Sequence, residues 1–255
     1  MKEALHPTEN GPITVVEYIQ LFGPKLNHLG IPNIRPAARC PACNEKMYPR
    51  GEANPVVDGV FSHKPNSTAY CPLKQSAAQP YKILPPKNPD LVAAQKLRSS
   101  FFSHWKFHSK LIRDYAPFAD IDEFIALIRY ADSHHLWQYQ NIQEFEIPYI
   151  FLVLKDFPPV KSKGKWLRRE WIRFWFDARV RTIDDLWIRT TGDWRLVKAT
   201  YAVPRAKGTV PGPAQLRSTA IPSVRTDFLD GAEPVVHPYQ EASMKAAFPD
   251  ELALG

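Results

Sequence analysis

The spacing of hydrophobic positions predicts helices in the first half of the chain. Residues 14–17 (TVVE) have the form of a capping box, which opens a short helix that Gly23 should end. Residues 88–113 are expected to form a longer helix, with Asn88 as its cap and Pro89 in its first turn. Both predictions rest on local signals and need no tertiary contact.

A further helix is predicted over residues 121–135, because Asp120 and Glu123 form another capping box. Its apolar positions fall on one stripe, as in a helix that packs on a core: Ile121, Phe124, Ile125 and Ile128. Before these two helices, residues 79–89 contain four prolines in eleven residues, which predicts an irregular linker.

The hydrophobic period changes after Glu146. Residues 148–155 (PYIFLVLK) are a continuous apolar run of strand length, which predicts a strand buried on both faces. Residues 171–181 alternate between two faces, and residues 185–190 and 194–201 complete an antiparallel sheet of about four strands. Helices followed by such a sheet predict an α+β fold.

All three cysteines of the chain lie within 32 residues. Cys40 and Cys43 are separated by two residues, a spacing at which two thiolates reach one ion from a tight turn. Asn44 follows, and asparagine tolerates the left-handed conformation that such a turn demands. His63 and Cys71 come later, and an Asp-Gly hairpin signal before His63 would bring it back toward the turn. Cys₃His is a closed tetrahedral donor set that suits one structural Zn²⁺.

Two alternatives to this ligand set remain. His28, or a histidine of the later helices, could replace His63. The three cysteines could also be unrelated buried thiols beside a surface histidine. If a metal is bound, it supplies most of the folding free energy of this segment, since the segment contains almost no core of its own.

The cysteine segment resembles the N-terminal zinc element of the competence protein CoiA family, which typically reads CPxC…HFAH…C. The resemblance rests on about 35 of the 255 residues: Cys40-Pro41-Ala42-Cys43, Phe61-Ser62-His63 and Cys71. Val60 stands where the family has its first histidine, so the resemblance carries over His63 alone as the histidine ligand. It implies DNA-associated biology. Downstream the family is similar to nucleases, but no Glu-x-Lys or Asp-x-Lys lies on a predicted strand of this chain.

Positive charge is concentrated in one block of the chain. The net charge is +7, and residues 155–207 carry 14 Lys/Arg against 6 Asp/Glu. Residues 208–255, in contrast, carry three basic and six acidic side chains. Such a block is typical of an anion-facing surface. A solvated basic face without a partner is the alternative interpretation.

A basic and aromatic surface is predicted where this block enters the alternating strand. Aromatic rings interleaved with cationic groups can stack on bases and neutralise phosphates. The candidate nucleic-acid-binding residues are Lys161, Lys163, Lys165, Arg168, Arg169, Trp171, Arg173, Trp175, Arg179 and Arg181. Two alternatives are that the strand is buried on both faces, or that it presents a protein-interaction surface, since Trp and Arg also dominate binding hot spots.

Four histidines are candidates for a second site, although no spacing requires them to meet. His104 and His108 lie four apart on a predicted helix, but no glutamate follows His104 as a zinc-protease motif would require. Their apolar neighbours favour a place in the core or in an interface. His134 and His135 close the next predicted helix. No serine-nucleophile or phosphate-loop pattern is present, so the sequence does not indicate a catalytic centre.

The composition sets the cellular context that we expect. No run of 18 uncharged apolar residues is present, which excludes a membrane span. The N-terminus lacks a basic-then-apolar export signal, and three cysteines cannot all pair in an oxidising compartment. We therefore expect a cytoplasmic protein without membrane contact.

Three regions are predicted: an N-terminal helix with a zinc element (1–78), an α+β core (88–203) and a proline-rich tail (204–255). The tail has seven prolines in 52 residues and should wrap its own domain or dock on a partner. The leading hypothesis is a zinc-stabilised nucleic-acid-binding protein, with DNA favoured over RNA. A protein–protein adaptor or inhibitory subunit that uses the Trp/Arg face and the tail is the competing class, and a divergent nuclease is the third.

Overall fold

A computed structural model of the chain describes residues 2–9, 11–41, 43–52, 59–64, 71, 86, 88–176, 195–205, 209–212 and 215–252. The chain forms two compact units. The first unit contains residues 1–78 and 197–222, and the second contains residues 79–196 and 223–255. The predicted α+β class is confirmed, because helices and antiparallel strands occur together. Residues 204–255 do not form a region of their own, since they are divided between the two units.

The strands of the described residues are β1 (Glu3–Leu5), β2 (Pro12–Thr14), β3 (Ala38–Arg39), β4 (Lys46–Arg50), β5 (Val60–His63), β6 (Val160–Ser162), β7 (Lys165–Arg168), β8 (Trp171–Phe176), β9 (Leu196–Tyr201) and β10 (Leu216–Ala220). The α-helices are α1 (Val15–Phe22), α2 (Leu91–Ser103), α3 (Trp105–Tyr115), α4 (Ile121–Ser133), α5 (Ile147–Leu154), α6 (Pro238–Ala247) and α7 (Pro249–Leu252). None of these helices is long and apolar enough to cross a membrane.

The first unit is built on a five-stranded antiparallel sheet with the order β2-β1-β3-β4-β5. Tyr18 of α1 is almost fully buried and meets Phe61 of β5 edge-on, with ring centroids 5.6 Å apart. The Tyr18 hydroxyl donates to the Pro36 carbonyl at 2.6 Å, so its one polar atom is satisfied inside the core. In the same unit, β9 and β10 pair as an antiparallel ladder.

The first predicted helix is confirmed at both ends. Glu17 N donates to Thr14 Oγ1 at 3.2 Å and Thr14 N donates to the Glu17 carboxylate at 2.8 Å, which completes the capping box. The helix ends at Gly23, whose φ of 77° lies in the region that favours glycine. These signals are local, which explains why the sequence was sufficient to place them.

The second predicted helix is divided in two. His104 has φ −113° and ψ 16°, so it ends α2 and precedes α3 instead of continuing one rod to residue 113. The cap also differs from the expectation, because Ala93 N donates to Asp90 Oδ1 at 2.9 Å and the helix begins at Leu91. The break separates α2 from α3, and His104 lies at their junction.

The helix α4 confirms the third predicted helix, although only one of the two hydrogen bonds of the predicted capping box is observed. Asp120 caps it by accepting a hydrogen bond from Glu123 N at 2.7 Å. The predicted apolar stripe is buried, and Leu127 and Ala131 extend it. The helical period that the apolar residues predict for this segment is therefore confirmed.

The strand predicted at residues 148–155 is wrong, because these residues form the helix α5. All eight residues of α5 are buried, so its sequence carries no polar face from which a period could be read. Pro148 lies in the first turn, where the missing N–H costs no hydrogen bond. The helix packs against α3 and β8, and these tertiary contacts select a helix for an apolar run that is also strand-like.

The remaining predicted strands are observed in part. Residues 171–176 form β8 and residues 196–201 form β9, whereas residues 177–181, 185–190 and the predicted linker at 79–85 lie outside the described residues. The hairpin β6–β7, in contrast, was not expected from the sequence.

The last residues pack on the second unit, as one of the two expectations for the tail required. Tyr149 Oη donates to the Arg225 carbonyl at 2.9 Å, and the Tyr115 hydroxyl donates to the Ser223 carbonyl. Further along, the Phe248 ring meets Phe102 of α2 with centroids 5.0 Å apart. Residues 223–252 are therefore held to the unit by both polar and aromatic contacts.

Candidate metal centre

A tight turn after β3 presents the first two cysteines. Asn44 N donates to the Cys40 carbonyl at 2.8 Å, and Cys40 N donates to the Glu45 carbonyl at 2.8 Å. Asn44 has a φ of 58°, as its place in the sequence predicted. The two backbone hydrogen bonds close the turn so that Cys40 and Cys43 point to the same place.

The hairpin β4–β5 brings the histidine to this turn. His63 is the last residue of β5 and lies opposite Met47, near the start of β4. Because β4 begins just after the turn, the antiparallel register returns His63 to the cysteines. His63 Nε2 lies 3.2 Å from Cys43 Sγ.

Cys71 completes the group, with its Sγ 3.7 Å from Cys40 Sγ. The four ligand atoms of Cys40, Cys43, His63 and Cys71 all lie within 4.8 Å of one another. A disulfide is absent between these cysteines, since a bonded pair of sulfurs is only about 2.05 Å apart. The structure therefore brings together the four residues that the sequence predicted, with His63 as the histidine.

The spacing fits a tetrahedral ion. Zinc–sulfur bonds of about 2.3 Å and zinc–nitrogen bonds of about 2.0–2.1 Å place two sulfurs about 3.8 Å apart, and a sulfur and a nitrogen about 3.6 Å apart. The observed 3.7 Å between two sulfurs and 3.2 Å between sulfur and nitrogen lie close to these values. The group can therefore hold a metal ion with small side-chain adjustments.

The electrostatics of the group also favour a cation. Cys40 and Cys71 are fully buried. Burial raises the pKa of the Cys40 thiol well above its usual value, and the neighbouring Cys43 and Cys71 thiols raise it further. Three thiolates could not share this space without a positive charge between them, so a bound cation is what allows the cysteines to ionise.

Two further side chains surround the group without joining it. Glu45 Oε2 lies 4.0 Å from both Cys43 Sγ and His63 Nε2, which is outside the ligand set. Arg39 ties the turn to the N-terminal strands, because it donates to Asn44 Oδ1 at 3.2 Å and to the Glu9 carbonyl at 2.6 Å. Arg39 therefore supports the turn that presents the first two cysteines.

The predicted basic and aromatic surface is only partly exposed. Lys161, Lys163, Lys165 and Arg169 are exposed, Trp171 is half-buried, and Arg179 and Arg181 lie outside the described residues. The prediction that Arg168, Arg173 and Trp175 are exposed is wrong, because these side chains are at most 5% exposed. The strand β8 is buried on both faces from Ile172 to Phe176, which was the alternative interpretation of its pattern.

The buried arginines have partners inside the second unit. Arg168 donates to the carbonyls of Pro158 and Pro117. Arg173 donates through two nitrogens to the two carboxylate oxygens of Asp156, each at 2.5 Å. These guanidinium groups contribute to the fold instead of meeting a ligand. Alternation along a strand shows which residues share a face, but not whether that face is covered.

The exposed residues lie on and next to the hairpin β6–β7. Its turn consists of Lys163 with φ 46° and Gly164 with φ 76°, the two positive φ values of a type I′ hairpin. Trp166 and Leu167 on β7 are 43% and 41% exposed. The Lys161 ammonium lies 4.1 Å from the centroid of the Trp166 ring. The hairpin thus presents three lysines and an aromatic ring to solvent.

A second polar cluster lies at the α2–α3 junction of the second unit. Glu144 Oε1 accepts from His104 Nδ1 at 2.9 Å and from His108 Nε2 at 3.1 Å, while Glu144 Oε2 accepts from the Ser100 hydroxyl. Burial alone would raise the pKa of Glu144, but hydrogen bonds from His108, Ser100 and His104 lower it to about 2. The carboxylate is therefore ionised and has three donors.

The interior of this cluster is apolar. His108 is fully buried, stacked on Phe101 with centroids 4.5 Å apart and edge-on to Phe228 at 5.4 Å. Burial lowers the pKa of His108, and its Nδ1 has no hydrogen-bond partner among the described residues. The ring is therefore held neutral, with its proton on the nitrogen that faces Glu144.

Sequence reasoning found two of the four members of this cluster and missed the other two. His104 and His108 were paired by their spacing, but Glu144 lies in a short 3₁₀ turn with no periodic signal. His134 does not join them: it stacks on Tyr130 at 3.9 Å, one turn earlier in α4. His135 has a φ of 55° and precedes the next 3₁₀ turn. The four histidines therefore do not form one site.

Comparison of the chain with protein-family models, with curated proteins and with solved structures finds no match in any of the three.

Proposed function

We propose that this protein is a zinc-stabilised nucleic-acid-binding protein that contacts phosphates through the hairpin β6–β7. The observation that carries the proposal is one short hairpin with three exposed lysines, Lys161, Lys163 and Lys165, and the exposed ring of Trp166, which the Lys161 ammonium contacts. Arg169 adds a fourth exposed cation just after β7. Phosphates recognise such a cluster of cations, and an aromatic ring among them offers a surface for a base.

Zn²⁺ is the ion that the donor set favours. Three soft thiolates and one imidazole in a tetrahedral arrangement select zinc over the hard cations. Four protein ligands leave no open position for a substrate, so the ion stabilises the turn and the hairpin β4–β5 and performs no chemistry. Elemental analysis of the purified protein should find about one equivalent of zinc. Iron in place of zinc would overturn this assignment.

DNA is favoured over RNA on the strength of the resemblance to the CoiA family. Nuclease activity is not part of the proposal. Among the described residues, the Cys₃His set is the one group of three or more His, Cys, Asp or Glu side chains close enough to hold a metal ion.

The experiment is a binding titration of labelled DNA and RNA at about 50 and 200 mM salt. If three lysines neutralise three phosphates, the salt dependence of about 0.7–0.9 per phosphate predicts that affinity falls roughly 20- to 40-fold between these salts. The triple variant Lys161→Gln, Lys163→Gln, Lys165→Gln should lose most of this dependence. A matched control removes three exposed lysines elsewhere: Lys46→Gln, Lys96→Gln and Lys245→Gln. No binding at the lower salt, or equal loss in both variants, would refute the proposal.

A protein-binding role is the second candidate, and exposed apolar side chains of the first unit favour it. Val16 and Leu21 on α1 are 64% and 63% exposed, and four more apolar side chains follow in the next segment: Leu26, Leu29, Ile31 and Ile34. Exposed apolar groups in this number mark interaction surfaces. A partner retained at 200 mM salt and lost in a Leu29→Ser, Ile31→Ser variant would support this role. Retention in the variant would argue against it.

A further inference from the structure

The hairpin β6–β7 carries a cation and an aromatic ring as a cross-strand pair. Lys161 of β6 lies directly opposite Trp166 of β7, and the Lys161 ammonium is 4.1 Å from the ring centroid. A cation over the face of an indole is held there by the ring quadrupole. One face of the Trp166 ring is thus covered by its own hairpin, while 43% of the residue stays exposed to solvent.

The hairpin under this ring is held at its turn and at its base. The type I′ turn at Lys163 and Gly164 fixes the register of the two strands. At the base of the hairpin, the buried Arg168 guanidinium donates to the carbonyls of Pro117 and Pro158. Because the ring is already oriented, a planar ligand that stacks on it loses little additional conformational entropy.

The charges of the hairpin and its aromatic ring together indicate the chemical class of the ligand. Three ammonium groups on one short hairpin attract a polyanion, and a ring with one face supported by a cation stacks on a planar partner through the other face. A nucleotide in a single strand supplies both, because its base is free to leave the strand and its phosphates lie on either side. In a duplex the base faces are already stacked on one another, and the protein meets only base edges and phosphates.

We propose that the hairpin β6–β7 binds single-stranded nucleic acid in preference to duplex, with one base stacked on Trp166 and the flanking phosphates paired with Lys161, Lys163 and Lys165. This inference rests on the proposed function and adds the strandedness of the ligand. It also assigns different contributions to the lysines and to the aromatic ring. The lysines set the salt dependence, and the ring sets the preference for single strands.

The test compares a labelled 20-nucleotide oligothymidine with a 20-base-pair duplex at one salt concentration. The full-length protein should bind the single strand more tightly. Trp166→Ala should weaken single-strand binding about tenfold or more and change duplex binding less than threefold, with the salt dependence unchanged. Trp166→Phe should recover part of the loss, because it keeps an aromatic face.

Leu167→Ala is the matched control, since Leu167 is the next residue on β7 and is almost equally exposed. It should leave both affinities within about twofold. The inference is overturned if the full-length protein binds duplex at least as tightly, or if the Trp166 and Leu167 variants lose the same amount. It is also overturned if Trp166→Ala weakens both ligands equally. These outcomes differ from failure of the proposed function, in which the full-length protein binds neither ligand.

Discussion

The two polar clusters of this protein stabilise their buried ionisable groups in opposite ways. In the first unit, Cys40, Cys43, His63 and Cys71 meet without an opposite charge among them. In the second unit, Glu144 supplies a negative charge, and two imidazole groups and a hydroxyl donate to it. The first cluster needs a cation from outside to be stable in its ionised form, whereas the carboxylate of the second is stabilised by side-chain donors of the protein itself.

The two clusters differ in whether their histidines are placed to hold a metal ion. His63 lies 3.2 Å from Cys43 Sγ and within 4.8 Å of the other two sulfurs, so it is placed to share a metal ion with them. His104 and His108 have a carboxylate as their partner and need no ion. Spacing in the sequence does not distinguish a histidine placed for a metal from one paired with a carboxylate, because it does not show which side chains lie next to the imidazole.

The largest expected effect is on the first cluster. Cys43→Ser should release about one equivalent of zinc and unfold the hairpin β4–β5, because metal binding provides about 10 kcal/mol or more of apparent folding free energy in small zinc modules. Amide hydrogen exchange of β4 and of α4 measures the two units separately. Protection should disappear in β4 and persist in α4. A variant that keeps its zinc would show that the ligand set is wrong.

The next effect is on the second cluster. Glu144→Ala removes the acceptor for His104, His108 and Ser100 and leaves the buried His108 without a partner, so it should cost about 2–4 kcal/mol of unfolding free energy. Urea denaturation followed by tryptophan fluorescence measures this cost. Zinc content should remain at one equivalent, which separates this variant from Cys43→Ser. Zinc loss in Glu144→Ala would show that the two clusters are not independent.

A smaller effect is expected on the pH dependence of stability. The pKa of Glu144 is lowered from 4.5 to about 2, so its contribution is present above pH 4.5 and is lost as pH falls toward 2. The lowered pKa of His108 acts in the same direction below about pH 6.5, since the folded state resists its protonation.

Glu144→Gln should therefore lose less stability between pH 4.5 and pH 3 than the unchanged protein, as measured by urea denaturation at each pH. Any zinc lost in acid should be lost from both proteins alike, so the difference between them isolates the second cluster. Equal loss in the two proteins would contradict the lowered pKa of Glu144.

The smallest effect is expected at the edge of the metal centre. Glu45→Gln should change zinc affinity by less than about tenfold, because its carboxylate oxygen lies 4.0 Å from Cys43 Sγ and His63 Nε2. Loss of a group that hydrogen-bonds a ligand directly typically lowers metal affinity by about tenfold or more. Competition with a chromophoric chelator measures this affinity. A loss comparable to that of Cys43→Ser would make Glu45 a ligand and would exclude the closed four-ligand site.

The sequence predicted those features whose causes lie within a few residues. The capping box at Thr14 and the left-handed Asn44 are set by local backbone preferences. The first two predicted zinc ligands could be chosen for the same reason, because they share one tight turn. A two-residue turn at residues 58–59 would pair residue 57 with Val60, but Val60 lies opposite Arg50, so the return of His63 is set by pairing with β4 and not by that turn.

Other features depended on what packs around a segment. The apolar run of α5 is compatible with a strand or a helix, and its contacts with α3 and β8 decide between them. The polar positions of β8 alternate as an exposed face would, yet Asp156 neutralises Arg173 and the strand is covered. Glu144 joins His104 and His108 from 40 and 36 residues away, a distance over which no sequence period extends.

By itself, the sequence determined the capped helices, the tight turn with its cysteines and the α+β class, because hydrogen bonds between near neighbours and hydrophobic periods establish these features. Only the tertiary structure decided which lysines and rings stay exposed, which arginines are buried and where Glu144 finds its donors. Burial is a property of the neighbours that a side chain meets in space, and a linear pattern specifies a face without specifying what covers it.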